Sequence, residues 1–517
     1  MKKLILISGI VFTVAACQQD AAVKEKKSVQ TYKMTTEIPE GVLTPDKVET
    51  SIGTLEYFDG VPSKETSENV YDYLDKMRGV DAFMKGIPGA SVRGLIVGLK
   101  EAGVDDYNKV GITKTLLDSK SLLLTANTST IYITPYLDVK ENGPLVMETP
   151  PGMLGAFNDA WFRYIADIGP FGEDKGKGGK YLILPPDYEG EIPEGYFVVK
   201  SPTYKVFVFM RTSIANGIES AVNVVEEKLK VYPLSEIDNP KEMELVDISG
   251  VDFNTVHTND FSFYEHVAEW INEEHVDMLD DVKKGLFTSI GIEKGKPFAP
   301  DERMKKLLTE AVAIGNAAAR SITYYPRTDM NLAGVEIYPD TESSWIMAFA
   351  KKDVFFTTET GGFNTDALDM FHYNYTAVTP AMAVTIEGAG SDYAISFLDA
   401  EKNPFDGVKE YKLHIPANVP VNDFWAVTIY DTQTRSLLQT DQQFPTVGSL
   451  TEGFKQNEDG SFDVFFSPNP TAGKENNWLQ TIPGKSFIVI LRVYGPLKPW
   501  IEKTWRPGEV TLVENKY

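Results

Sequence analysis

The sequence is poor in the residues that cross-link chains and bind metals. Cys17 is its only cysteine, and five histidines occur in 517 residues. A single cysteine excludes disulfides within the chain and cysteine-based metal sites, so stability must come from the burial of apolar side chains. Long hydrophobic runs are also missing. Beyond the N-terminus, no stretch approaches the roughly 18 uninterrupted apolar residues of a membrane-spanning helix.

Positive charge is scarce as well. The 74 acidic residues outnumber the 50 lysines and arginines, which leaves a formal net charge of −24. Such an acidic body repels nucleic acids and anionic lipid surfaces, so we expect neither as a partner. The sequence also lacks a Gly-x-Ser-x-Gly nucleophile elbow, a phosphate-binding P-loop and a dinucleotide fingerprint after a strand. We therefore expect no cofactor.

The N-terminus has the features of a secretory signal. Lys2 and Lys3 precede an almost wholly apolar run at residues 4–16, which ends in two alanines before Cys17. This ending resembles the bacterial lipobox, in which the cysteine becomes the lipidated first residue of the mature chain. Gln18 after it indicates the outer membrane of a Gram-negative cell envelope. We predict a signal peptide and a membrane anchor through lipid on Cys17; the alternative is an ordinary cleaved signal.

The composition divides residues 17–517 into four regions. Residues 17–39 are polar and read as a flexible tether, whereas residues 40–250 mix helical signals with short β-type runs. Residues 251–324 have helical periodicity, and residues 325–517 return to short strands rich in aromatic and β-branched residues. The predicted fold class is α+β. We expect two mainly antiparallel, jelly-roll-like β-sandwich domains, with helices in the N-terminal domain and between the domains.

Individual elements can be placed within this plan. Helices are predicted at residues 69–84 and 91–100, and two or three more within residues 261–320. Pro300 followed by Asp301 is a typical helix start. The predicted strands are residues 121–124, 130–136, 181–184, 196–200 and 205–211, then 383–387, 392–397, 411–415, 424–430, 462–466 and 487–494.

Short motifs in the two β-rich regions resemble two known families. In the C-terminal region they are Phe424-Trp425, Tyr430-Asp431, Thr434-Arg435, Asp459-Gly460-Ser461, Asn476-Asn477-Trp478-Leu479, Arg492-Val493-Tyr494 and Trp505-Arg506-Pro507. In the N-terminal region they are Ala126-Asn127, Ile131-Tyr132, Pro144-Leu145-Val146, Gly178-Gly179-Lys180-Tyr181 and Gly195-Tyr196. The first set resembles the DUF1214 family and the second the DUF1254 family. The resemblance implies two β-sandwich domains with helices between them, and no reaction.

The motifs supply a polar and aromatic set of candidate ligand-binding residues: Asn127, Tyr132, Trp478 and Arg492. Arg492 interrupts an apolar strand, and a buried guanidinium needs a partner. One interpretation is an arginine–carboxylate pair that ties strands together. The other is a cleft in which Arg435 or Arg492 holds an anionic group while aromatic rings stack on a sugar-like or aryl face.

The candidate catalytic residues are Tyr430, Asp431 and Arg435. Tyr430 or Tyr132 can act as a proton donor if a nearby arginine lowers the pKa of its hydroxyl. Asp431 can serve as the acid, with a turn-forming aspartate as the alternative. The chain departs from the DUF1254 pattern directly before Tyr132, one of the candidate proton donors. The family has an Asp-Thr-Leu-Tyr run where this chain has Ser129-Thr130-Ile131-Tyr132.

The sequence does not place three metal-binding side chains together. His266 and Glu269 can meet on one helix face, but His275 falls on the opposite face. Asp369 and His372 form a local pair for which no third ligand is visible. A three-ligand open site therefore cannot be built, and we predict no metal.

The sequence as a whole favours an exported, lipid-anchored envelope protein that binds a carbohydrate or another small ligand in a β-sandwich cleft. The first alternative is a metal-independent lyase or hydrolase acting on a glycan or a similar small substrate. The second is a structural partner in an envelope complex. An aromatic-lined groove favours binding, a pocket with titrating groups favours catalysis, and a broad apolar patch favours a protein partner.

Overall fold

A computed structural model describes residues 32–330 and 332–513 of the chain. These residues form two compact units, which divide between Val70 and Tyr71. The predicted signal peptide and Cys17 lie outside the described residues. In the first unit an antiparallel sheet is made by β1 (Lys47–Thr50), β2 (Gly53–Phe58) and β3 (Val61–Pro62). The chain then enters the helix α1 (Lys64–Glu101), most of which belongs to the second unit.

The second unit begins with a β-sandwich. Its larger sheet has the order β13-β4-β5-β11-β7-β8 and its smaller sheet β10-β9-β6-β12. Apolar side chains of both sheets and of α3, among them Val208, Ile183 and Val225, fill the space between them. The elements are β4 (Lys109–Ile112), β5 (Ile131–Asp138), α2 (Val139–Asn142), β6 (Leu145–Thr149), β7 (Met153–Asp159), β8 (Tyr164–Ile168), β9 (Gly179–Leu184), β10 (Phe197–Lys200), β11 (Lys205–Thr212), α3 (Ile218–Lys228), β12 (Lys230–Pro233) and β13 (Glu244–Asp247).

Helices follow the first sandwich. They pack together with α1, with the outer face of the larger sheet and with one face of the C-terminal sandwich, so that the two sandwiches share a buried helical core. Phe207 of β11 and Ile490 of the C-terminal domain both belong to this core. The helices are α4 (Ser262–Glu273), α5 (Asp281–Ser289), α6 (Glu302–Tyr324) and α7 (Thr365–Asn374).

The C-terminal domain is a second sandwich. Its two sheets have the orders β14-β20-β16-β17 and β19-β18-β15-β21, and side chains such as Leu491 and Leu413 meet between them. The elements are α8 (Pro380–Ala383), β14 (Ser391–Ser396), β15 (Tyr411–Ile415), β16 (Val421–Asp431), β17 (Thr446–Gly448), β18 (Phe462–Ser467), β19 (Trp478–Gln480), β20 (Phe487–Pro496), α9 (Lys498–Ile501) and β21 (Val510–Leu512).

The predicted α+β class with mainly antiparallel sandwiches is confirmed. The helical region at residues 261–320 is also confirmed, and the carboxylate of Asp301 accepts a hydrogen bond of 2.7 Å from the backbone N–H of Met304 at the start of α6. Within the described ranges, no helix combines the length and the apolar composition needed to cross a membrane.

Residues 69–84 and 91–100 are helical as predicted, but the break between them and two predicted strands are wrong. The two short helices predicted at residues 69–84 and 91–100 are one helix, α1, which continues through Pro88. Burial of neighbouring side chains such as Ile87 in the shared core outweighs the hydrogen bond that the proline removes. Residues 121–124 and 383–387 form no strand but only isolated bridges, because each segment lacks a continuous partner to pair with.

Candidate functional site

A small cavity of about 80 Å³ lies between the two β-sandwich domains. The larger sheet of the first sandwich contributes Tyr132 and Arg211, and the C-terminal sheet contributes Tyr393 and Arg492. The segment at residues 375–382, which connects α7 to α8 and includes α8, closes another side. The cavity therefore belongs to both domains rather than to either one.

The alternation of side chains along β20 explains why an arginine faces this cavity. Ile488, Ile490 and Arg492 point to the shared helical core, whereas Val489 and Leu491 point into the C-terminal sandwich. Successive residues of a strand face opposite sides of its sheet, so a charged residue at this position must lie between the domains. The guanidinium of Arg492 is thus held in the interior by the apolar residues on either side of it.

Two buried or partly buried arginines meet at the cavity without an acidic partner. Arg492 is 4% exposed, and it donates hydrogen bonds to the hydroxyl of Tyr430 and to the backbone carbonyl of Thr125. Arg211 donates a hydrogen bond of 2.8 Å to the hydroxyl of Ser391. Among the described residues, no carboxylate lies within ion-pair distance of either guanidinium. The predicted arginine–carboxylate pair at Arg492 is therefore wrong.

Tyrosine hydroxyls complete the polar lining. The oxygen of Tyr132 accepts hydrogen bonds from the backbone N–H (2.9 Å) and the side-chain amide (2.7 Å) of Asn127, which leaves its own proton available to donate. Tyr375 also lines the cavity, and its buried hydroxyl has no hydrogen-bond partner in the described part of the chain. The cavity thus presents several hydrogen-bond donors, and no acidic side chain belongs to its lining.

Burial favours the neutral form of Tyr132 and Tyr430. Burial raises the pKa of Tyr430 to about 12, and it also raises the pKa of Tyr132, although Arg492 lowers both in part. Burial outweighs the arginines, so the condition under which either tyrosine would act as a proton donor, a pKa below the usual value, is not met. Tyr430 moreover donates its own proton to the backbone carbonyl of Ala126 at 2.7 Å, so this proton is already engaged.

Asp431 lies away from the cavity, although it follows Tyr430 directly in the sequence. Adjacent strand residues point to opposite faces, and the carboxylate of Asp431 instead accepts hydrogen bonds from the backbone N–H groups of Gln433 and Thr434. It also pairs with the ammonium group of Lys485. This is the turn-forming role that the sequence offered as the alternative for Asp431.

Arg435 is fully buried but does not line the cavity. It donates hydrogen bonds to the backbone carbonyls of Tyr373 (3.1 Å) and Gln433 (2.6 Å), and its guanidinium carbon lies 4.1 Å from the centre of the Tyr373 ring. These contacts join the turn after β16 to α7. Trp478 is also remote from the cavity, since its indole N–H donates to the backbone carbonyl of Ser467 within the outer sheet of the C-terminal sandwich.

The structure therefore brings together Asn127, Tyr132, Tyr430 and Arg492 and separates them from Asp431, Arg435 and Trp478. Sequence reasoning missed Arg211, Tyr375 and Tyr393. A signal for Arg211 was present, because it carries charge at the end of the apolar strand β11, just as Arg492 does in β20. The two tyrosines carry no comparable signal.

Metal-binding side chains do not gather at this site or elsewhere in residues 32–330 and 332–513, where no group of three or more His, Cys, Asp or Glu could hold a metal ion. His372 lies among aromatic rings, and burial lowers its pKa to about 3. Asp369, the other member of the local pair, lies 3.6 Å from the ammonium group of Lys85.

The fold and the cavity define a class of protein in which two β-sandwich domains share a helical core and enclose a cavity between them. Residues 107–233 match the family described as protein of unknown function DUF1254, and residues 390–498 match the family described as protein of unknown function DUF1214. The chain therefore contains a DUF1254 domain followed by a DUF1214 domain. The resemblance drawn from the motifs is confirmed, and both domains contribute residues to the cavity.

Two solved structures are similar to this chain. The VPA0106 protein from Vibrio parahaemolyticus has 18% sequence identity and a TM-score of 0.50, over 85% of this chain and 100% of that protein. An uncharacterized protein from Burkholderia cenocepacia has 10% identity and a TM-score of 0.37, over 86% of this chain and 96% of its own. The similarity to the Vibrio parahaemolyticus protein is evidence for the fold alone. No curated protein matches the chain.

Proposed function

We propose that this protein binds a small carboxylate in the cavity between its two β-sandwich domains. The observation that carries the proposal is the presence of Arg211 and Arg492, one from each domain, at a cavity that has no acidic residue in its lining. A buried guanidinium that lacks a carboxylate is costly unless an anion compensates it. The free proton of Tyr132 and the unpartnered hydroxyl of Tyr375 add donors suited to carboxylate oxygens.

The size of the cavity limits the ligand. A volume of about 80 Å³ is smaller than the roughly 150 Å³ apolar cavity that encloses one benzene molecule. A carboxylate with a short apolar chain, from acetate to butyrate, has the appropriate dimensions. The apolar residues of the lining, such as Phe209 and Ile490, suit such a chain better than they suit the hydroxyl groups of a sugar.

Binding is better supported than catalysis. A lyase or a hydrolase needs a base, but the lining contains neither a carboxylate nor an imidazole. Burial keeps Tyr132 and Tyr430 protonated at neutral pH, so neither tyrosine provides that base. A donor-rich cavity without a base is suited to holding an anion rather than to transforming it.

Calorimetric titration at pH 7 tests the proposal with acetate, propionate and butyrate, each compared with its amide. We expect each carboxylate to bind at least about tenfold more tightly than its neutral amide, and Arg492→Gln and Arg211→Gln to remove that preference. Equal affinity for acid and amide in the wild-type protein would sink the proposal.

Two tyrosine variants form a matched pair for the same titration. Tyr375 and Tyr494 both have a buried hydroxyl without a hydrogen-bond partner in the described part of the chain, but Tyr375 lines the cavity and Tyr494 does not. Removing either hydroxyl should leave the fold intact. We expect Tyr375→Phe to weaken carboxylate binding and Tyr494→Phe to leave it unchanged.

We further propose, from the sequence, that the protein is exported and held in the cell envelope by lipid on Cys17. The support is the order of charged, apolar and small residues before this cysteine. Metabolic labelling with an alkyne fatty acid in a bacterial host tests it. Label should enter the wild-type protein and be lost in Cys17→Ser, and equal labelling of the two would contradict the anchor.

A further inference from the structure

A second cavity, of about 920 Å³, lies apart from the first and shares none of its lining residues. It forms where α1, α5 and α7 meet the turn at residues 160–164 and the segment at residues 354–363. Its volume falls in the range of roughly 300 to 1,000 Å³ that small-molecule sites occupy. The cavity is more than large enough for a ligand with a ring system or a long chain.

The lining is predominantly apolar and aromatic. Trp161, Phe162 and Phe356 are buried in its wall, while Phe355 (58% exposed) and Phe363 (65% exposed) lie where it opens to solvent. Exposed phenylalanines beside an apolar cavity are costly in water, and they are typical of sites that receive an apolar molecule. The lining thus indicates a ligand with a large apolar surface.

The four cations that line this cavity are already paired with carboxylates of the protein. Arg78 lies 3.6 Å from Asp75, and Lys85 lies 3.6 Å from Asp369. The two remaining cations of the lining are paired in the same way, Arg163 with Asp159 and Lys283 with Asp280. The cations therefore have their charge balanced by the protein, unlike Arg211 and Arg492 at the small cavity. The described lining thus leaves no unpaired cation for an anionic ligand, and its apolar side chains favour an uncharged one.

One buried polar group in the described wall lacks a partner. His372 is 4% exposed, it lines the cavity, and its Nδ1 has no hydrogen-bond partner among the described residues. Its ring packs against Phe162, Phe356 and Phe371, with centroid distances of 5.5, 5.7 and 5.4 Å. A buried ring nitrogen in such apolar surroundings is uncommon unless something bonds to it.

We propose that this cavity is a binding site for an uncharged, mainly apolar small molecule that carries one hydrogen-bonding group, which His372 engages. The neutral imidazole offers one donor and one acceptor, so a hydroxyl or a carbonyl of the ligand can bond to it. The aromatic wall holds the apolar body of the ligand. The site is independent of the carboxylate site between the sandwiches.

The test uses the uncharged fluorescent dye N-phenyl-1-naphthylamine with the purified full-length protein. The dye should bind saturably with increased emission, and 1-dodecanol should displace it at least about tenfold more effectively than dodecanoate at pH 7.5. Equal or better displacement by dodecanoate would show that an anionic head group is recognised and would overturn the proposal. Absence of saturable dye binding would overturn it as well.

Gly285 provides a blocking variant and its matched control. This glycine lies on α5 in the lining, and no atom lies within 4 Å of the position that its Cβ would occupy. We expect Gly285→Phe to fill the entrance and weaken dye binding at least about tenfold, and Gly285→Ala to change it by less than about twofold. Dye binding that survives unchanged in Gly285→Phe would place the dye elsewhere and overturn the assignment.

His372→Phe tests the hydrogen bond. Phenylalanine keeps the ring and its packing but removes both nitrogens, so the fold should persist. We expect displacement by 1-dodecanol to weaken about fivefold, and Tyr375→Phe at the small cavity to leave it unchanged. Unaltered displacement by 1-dodecanol in His372→Phe would refute the role of this histidine.

Discussion

The hydroxyl of Thr379 donates a hydrogen bond of 2.5 Å to the buried carboxylate of Asp167, which joins the wall of the carboxylate cavity to β8 of the first sandwich. Burial raises the pKa of Asp167 to about 6, in spite of this hydrogen bond. An aspartic acid in an unfolded chain has a pKa near 3.9, so folding favours the protonated form. The group therefore stabilises the fold below about pH 4, and this contribution is lost as the pH rises through 6.

Asp167→Asn is predicted to gain stability relative to the wild type as the pH rises from 4 to 7.5, by roughly 1–3 kcal/mol. The amide oxygen can still accept the hydrogen bond from Thr379 without becoming charged. Urea denaturation at the two pH values measures the difference. The control is Asp459→Asn, because Ser461 lowers the pKa of the exposed Asp459, so the opposite trend is expected there. A pH-independent difference for Asp167→Asn would contradict the prediction.

Arg435→Ala is predicted to lower stability by about 2–4 kcal/mol and to leave carboxylate affinity unchanged. The variant removes two hydrogen bonds to backbone carbonyls and the contact with the ring of Tyr373, none of which reaches the cavity. Denaturation and calorimetry on the same preparation separate the two effects. Lost binding with unchanged stability would instead restore Arg435 as a binding residue.

Gly94→Ala is predicted to destabilise the fold by about 1–3 kcal/mol, because the added methyl group would lie 2.4 Å from the backbone carbonyl oxygen of Thr255. The backbone of Thr255 must shift to admit it. Gly285→Ala, on an open helix face, is predicted to stabilise by about 0.5–1 kcal/mol through its helix propensity. Thermal denaturation of the two variants measures the difference. Similar midpoints would contradict the prediction that α1 passes too close to the backbone of Thr255 to accept a side chain at residue 94.

The elements that sequence reasoning placed well are those whose local pattern is strong. The strand predicted at residues 411–415 is β15, and the start of α6 at Asp301 follows from its capping side chain. The failures arise where distant contacts override local preference. Pro88 indicates a break in α1, but packing in the shared core keeps the helix continuous. The helix α7 was missed within a region whose composition favours strands.

Half of the candidate site could be found from the sequence. Arg492 and Tyr132 were singled out because polar residues stand in motifs within apolar strands. Asp431 was grouped with Tyr430 because both stand in one family-like motif, whereas a strand sends neighbouring side chains to opposite faces. Arg211 was missed because its relation to Arg492 exists only when two separate sheets face each other.

The sequence by itself determined the acidic balance of the chain, the strand and helix patterns, and the matches to both domain families, because these depend on composition, local periodicity and short motifs. The tertiary structure alone decided which side chains meet. Arg211 and Arg492 converge because the two sandwiches place their outer faces around one helical core. Such contacts depend on the packing of apolar surfaces far apart in the chain, which no local pattern encodes.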